Sequence, residues 1–163
     1  RDTAGAGTLV SVLHQREEEG SLVKVAVEGL PRVDYWLRAS DLERIDTLSG
    51  PDRALHILSP FDPFLIHRKR VLRLFGFDFS IECYLPEAKR RFGYFALPLL
   101  LGREFVGLLD AKADRQAGTL VVRRLRYDGV PRKRASFDAA FAKALDGFAA
   151  FNGVASPEPP FPE

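Results

Sequence analysis

An α+β fold is predicted, with helices toward both ends of the chain and antiparallel strands between them. Three observations carry this expectation. Apolar and polar residues alternate in several stretches between residues 79 and 127. The connections between those stretches are too short for helical crossovers, which leaves antiparallel pairing. The flanking segments instead repeat their apolar residues every three or four positions. The expected architecture is an N-terminal helix-and-hairpin unit, then a curled antiparallel β-meander approaching a barrel, with a C-terminal covering helix.

Asp2 or Thr3 would cap a first helix that reaches Glu19 and stops at Gly20, with Leu9, Val10, Leu13 and Val12 as its apolar stripe. Two alternating strands, Leu22 to Val27 and Val33 to Leu37, are joined through Glu28-Gly29-Leu30-Pro31-Arg32 as a β-hairpin. Ser40-Asp41-Leu42-Glu43 has the spacing of a capping box and would open a short helix to Leu48. A helix followed by a hairpin is the tail of a winged-helix unit, so residues 1–48 are expected to be its remnant. Ser49-Gly50-Pro51-Asp52 reads as a linker. Residues 53–153 would form the β-rich domain. It opens with a short strand from Leu55 to Leu58 and a helix begun by Asp62-Pro63, which carries Leu65, Ile66, Val71, Leu72 and Leu74 and ends at Gly76. Strands are expected over Phe79 to Leu85, Arg91 to Leu101, Glu104 to Ala111 and Thr119 to Tyr127. The last helix, from Ser136 to Asn152-Gly153, spaces Phe137, Phe141, Leu145 and Phe148 so as to seal one face of the sheet. The Pro-rich tail, residues 154–163, is expected to be disordered.

The 163 residues are 46% hydrophobic and 28% charged, values of a globular domain able to bury a core without staples. The single cysteine, Cys83, excludes an internal disulfide framework and is expected to be buried and inert in a reducing cytoplasm. No apolar run is long enough to span a bilayer and no signal peptide is evident, so no membrane partner is expected. The absence of Met points to a piece of a longer protein.

A net charge of +2 says little, but its distribution says more. Cations cluster at Arg68, Lys69, Arg70 and Arg73; at Lys89, Arg90 and Arg91; at Arg123, Arg124 and Arg126; and at Arg132, Lys133 and Arg134. Gathered on one surface they would form a phosphate-binding face; scattered, they are ordinary solvated patches. Lys89-Arg90-Arg91 would sit on a projecting hairpin tip. There it would either bind phosphates in a groove or guard a sheet edge against aggregation.

Other chemistry finds little footing. His14, His56 and His67 are scattered and Cys83 has no ligand neighbour, so no metal or other cofactor is expected. No glycine-rich phosphate loop occurs. Ser59, His67 and Asp110 make a poor triad, because Ser59 precedes Pro60 and lacks a nucleophile-elbow sequence. Among the acids, Asp62 reads as a helix cap, Asp114 as a turn residue and Asp110 as an alternating strand residue.

Several blocks in fixed order point to a family. They are Leu58-Ser59-Pro60-Phe61-Asp62-Pro63, Arg68-Lys69-Arg70, Leu74-Phe75-Gly76-Phe77-Asp78, Tyr84-Leu85-Pro86, Lys89-Arg90-Arg91-Phe92-Gly93-Tyr94, Leu97-Pro98, and Asp110 through Lys112 to Asp114-Arg115. This order resembles the winged-helix crosslink-repair DNA glycosylases of the YcaQ and AlkZ type, strongly over residues 53–128 and loosely over 1–48. The resemblance implies a bacterial DNA-repair hydrolase, associated with the nucleoid in the cytoplasm. It also implies tandem winged-helix units followed by a barrel-like domain, and excision of alkylated or crosslinked purines without a metal. A Gln-x-Gln or Gln-x-Asp motif in such enzymes is understood to place the attacking water. Here the glutamines are Gln15 and Gln116, in neither pattern, so no catalytic residue is expected in this chain and it should be inactive alone. The role carried over is DNA contact by Lys89, Arg90, Arg91, Arg68, Lys69 and Arg70. Expected partners are damaged duplex DNA and N-terminal winged-helix domains of the same polypeptide, in a monomer. Two other readings stay open: a winged-helix DNA-binding regulator without glycosylase activity, and a protein-interaction module.

Overall fold

The computed structural model describes residues 3–30, 32–127 and 134–158. The chain divides into two compact units, Arg1–Gly50 and Pro51–Glu163.

In the first unit α1 spans Thr3–Glu18, and β1 (Leu22–Val25) pairs antiparallel with β2 (Tyr35–Arg38). The Trp36 indole N–H donates to Glu17 at 3.0 Å and the His14 ring meets Trp36 edge-on, which ties the helix to the ribbon. Leu13 is half-buried, whereas Leu9, Val10 and Val12 are exposed, so most of the expected stripe finds no cover within the described residues. Pro31, in the expected turn, lies outside them. The capping box does not form. The short α2 covers Ala39–Leu42, its cap position at Arg38 and not at the expected Ser40, and no side chain caps it. Arg38 instead holds Asp41 through two hydrogen bonds of 2.7 and 3.1 Å, and a single 3₁₀ turn follows at Ile45–Thr47. A helix and a two-stranded ribbon are present, but the further helices of a complete winged helix are not among the described residues.

The second unit is built on an antiparallel sheet in the order β3 (Leu55–Ile57), β4 (Ala96–Leu101), β5 (Glu104–Asp114) and β6 (Thr119–Tyr127). It is open, which corrects the barrel expectation. The edges β3 and β6 do not meet, because β3 offers only three residues and four strands are too few to close. The stretch Phe79 to Leu85 is not a strand either. Its apolar residues serve a different purpose: Phe79 is buried and Ile81 packs beside it in a small core, while Glu82 is buried between them and the turn at Cys83. Cys83 is therefore half-buried in a turn, and not fully buried in a strand as expected.

The expected single helix after Asp62 is two. Asp62 accepts from the Phe64 N–H at 2.8 Å and Pro63 opens α3 (Pro63–Ile66). His67, at φ −84° and ψ 66°, breaks the helical path before α4 (Arg68–Phe75), which ends on left-handed Gly76. The last helix, α5 (Arg134–Phe151), lays Phe137, Phe141, Leu145 and Ala149 on one face of the sheet against Leu97, Leu99, Leu109, Leu120, Val122 and Leu125. On the other face Leu65, Val71, Phe77, Phe79 and Phe92 gather over Ala96 and Leu108. Burying each such side chain is worth about 1.5–3 kcal/mol, so the sheet is held from both sides. The chain does not become disordered at Ala155: its N–H donates to the Gly118 carbonyl and its carbonyl accepts from Leu120, so the segment after α5 is pinned to the start of β6. Residues 159–163 of the predicted tail lie outside the described residues.

Candidate nucleic-acid interface

Lys89-Arg90-Arg91 is not on a hairpin tip, since the nearest strand begins at Ala96. It rides on a loop across the sheet, through a 3₁₀ turn at Glu87–Lys89. Three contacts clamp this loop. The Arg90 Nε donates to the Leu85 carbonyl at 2.9 Å. The Phe92 N–H donates at 2.7 Å to the carboxylate of Glu82, which is only 3% exposed. The Tyr94 N–H donates to the carboxylate of Asp110. Gly93, at φ +118°, lies so close to that carboxylate that a β-carbon there would stand 2.4 Å from Oδ2. Only glycine fits both that backbone angle and that approach.

Beneath the loop, strand pairing sets a second group of cations. Asp110 on β5 lies opposite Ala96 on β4 and Arg124 on β6, and Leu108 lies opposite Arg126, so these residues share a face under period-two alternation. A register shift at Asp110/Ala111 adds Arg123 beside Arg124. The Arg91 and Arg126 guanidinium carbons both lie over the buried Phe92 ring, at 5.0 and 5.1 Å from its centre. Arg90, Arg123 and Arg124 all act electrostatically on Asp110. The fold thus brings Arg90, Arg123 and Arg124 within electrostatic reach of one half-buried acid, with Arg91 and Arg126 over the neighbouring Phe92 ring. Burial pushes the Asp110 carboxyl above its ordinary value of 3.8, against the opposing pull of Arg123, the Tyr94 amide, Arg124 and Arg90. Among the described residues Lys89, Arg91, Arg123 and Arg124 form no ion pair within 4.0 Å. A groove lined by Lys112, Asp114, Arg115, Gln116, Val121 and Arg123 lies along the β5–β6 ribbon.

The other predicted contacts fall elsewhere. Arg68 and Lys69 are exposed at the start of α4, and no ion pair or ring contact joins them to the arginine group. Cations there oppose the helix macrodipole, at a cost of a few tenths of a kcal/mol each that a bound anion would offset. Arg70 folds back: it donates to the Phe64 carbonyl at 3.1 Å and lies over the Phe64 ring. Arg132 and Lys133 and the Arg134 side chain lie outside the described residues. Ser59, Asp62 and Asp114 each hold local backbone. The Ser59 hydroxyl accepts the Phe61 N–H, Asp62 caps α3, and Asp114 accepts the Gln116 and Ala117 N–H groups at 3.0 Å each. Asp110 is the residue that strand alternation undervalued. Its burial comes from a loop more than a dozen residues away in sequence, and the bulky Phe92-Gly93-Tyr94 step was the signal for it.

No helix among the described residues is long and apolar enough to cross a membrane. No solved structure matches the chain. The sequence model of the family described as DNA glycosylase AlkZ-like matches residues 4–151, across both units. A match over most of the chain means that it belongs to the AlkZ-like family of DNA glycosylases.

Proposed function

We propose that this chain is the DNA-engaging part of a glycosylase that excises alkylated or crosslinked purines, and that it contacts phosphates while the water-placing carboxamides act from outside these 163 residues. The observation that carries the reading is the convergence of Arg90, Arg91, Arg123 and Arg124 on one face without carboxylate partners at contact distance. Guanidiniums gathered at such density about a single carboxylate repel one another, and a sugar-phosphate backbone relieves that repulsion. Lys89 extends the face, and Arg68 and Lys69 supply a second contact. Residues 1–48 are the remnant of a winged helix, with the β1–β2 ribbon as its wing.

In the reaction, water adds to the sugar C1′ as the bond to the purine nitrogen breaks. The bonding pair neutralises the N7-alkylated, cationic base, and the water proton leaves to solvent. Such a leaving group asks chiefly for a positioned water and electrostatic support. No Gln-x-Gln or Gln-x-Asp occurs here, so this chain alone releases no base.

The test is duplex binding across a salt series. The chain should bind with an affinity that falls steeply with salt, and Lys89→Ala/Arg90→Ala/Arg91→Ala should weaken binding to all sequences alike. The slope of log affinity against log salt should flatten by about 0.9 for each phosphate that is no longer neutralised. Unchanged binding and slope in the triple variant would remove the assignment.

A further inference from the structure

Next to the arginine group three aromatic side chains stand out of the surface: Phe61 is 49% exposed, Tyr94 44% and Phe95 39%. They form a connected patch. Phe95 meets Tyr94 edge-on with ring centres 4.7 Å apart, and Phe61 meets Phe95 at 6.3 Å. Large apolar rings left in solvent cost free energy, and the local structure is built to keep them there. Around Phe61, the Ser59 hydroxyl accepts its N–H, Pro60 is buried, the Ser59 carbonyl accepts the Asp62 N–H and Pro63 starts α3. Every neighbour in Ser59-Pro60-Phe61-Asp62-Pro63 therefore stiffens a turn whose outward member is the phenyl ring. Tyr94 and Phe95 are set in the same way, by the Asp110 bond to the Tyr94 N–H just after Gly93. The Arg90 guanidinium lies over the Tyr94 ring at 4.9 Å, so cation and aromatic surfaces are continuous.

The geometry points to a stacking site for an unpaired nucleobase at Phe61, Tyr94 and Phe95. A base offers a flat π-face, and its phosphates would reach the neighbouring guanidiniums; an apolar peptide would satisfy the rings but leave the arginines without a partner. Bases inside an intact duplex cannot present that face, so the site selects DNA in which one base has left the stack. This inference rests on the phosphate-contact reading above.

The experiment compares the affinity of the 163-residue chain for a fully paired duplex and for the same duplex with one unpaired adenine bulge. The bulged duplex should bind about tenfold or more tightly, in keeping with the worth of one stacked base. In Phe61→Leu/Phe95→Leu, which keeps apolar bulk and removes two π-faces, the preference should shrink to within about twofold while paired-duplex binding holds. Phe61→Tyr/Phe95→Tyr, which keeps the π-faces, should retain it. Equal affinity of the unmodified chain for both duplexes, or a preference that survives the leucine pair, overturns the stacking site and leaves phosphate contact standing. Failure to bind either duplex overturns both.

Discussion

At Asp110 burial and charge pull in opposite directions, and burial prevails: its carboxyl titrates above the ordinary 3.8 although three arginines and an amide favour the ion. The sign for stability follows. The folded state holds the proton more tightly than the unfolded chain, so the ionised carboxylate subtracts stability at neutral pH. That penalty is relieved as pH falls through the raised folded value and has gone once pH is below the unfolded value near 3.8. Asp110→Asn keeps an acceptor for the Tyr94 N–H and carries no charge to desolvate. Its melting temperature at neutral pH should equal or exceed that of the unmodified protein, and the gap should close on acidification. A gap that widens in acid would mean that the arginines, and not burial, govern this carboxyl.

The loop from Phe77 to Phe95 is the element on which the surface depends, and its anchor is Glu82. Glu82→Ala would leave the Phe92 N–H buried without a partner, a loss of about 1–3 kcal/mol readable in urea unfolding. Glu82→Gln, which keeps a carbonyl oxygen in reach, should recover most of it. This loop is also where the sequence misleads. Phe79, Ile81, Cys83 and Leu85 alternate as a strand would, yet an irregular chain turns Phe79 and Ile81 into a small core and leaves Cys83 half-buried and Leu85 exposed. Ladder pairing cannot be seen in a single stretch, because it depends on which partner edge is free. Elements with strong local signals were legible: β5 and β6, joined by the Asp114 turn, and α5 with its Phe137, Phe141 and Leu145 stripe. The break at His67 was not, since both halves of that helix carry their own apolar residues. The cations were visible as runs, but nothing local could put Arg90 beside Arg123; that depends on a loop crossing the sheet.

Across the whole second unit, one sheet separates two cores, with α5 closing one face and α3, α4 and the long loop closing the other. The arginine surface belongs to the second face, near the free edge. β6 is the last strand of an open sheet, and among the described residues no further strand pairs with its outer edge, where the chain near Ala155 joins its start. An uncovered ladder of this kind invites another chain to add itself, and repelling cations are a common deterrent. Arg123 and Arg124 would therefore keep molecules apart as well as draw a polyanion in. Replacing both with glutamine should promote self-association, seen as early elution in size-exclusion chromatography, even without DNA. Replacing both with lysine should keep the molecules dispersed while loosening any forked phosphate grip. A protein that must crowd along a charged polymer without sticking to its own copies has reason to place the same side chains in both roles.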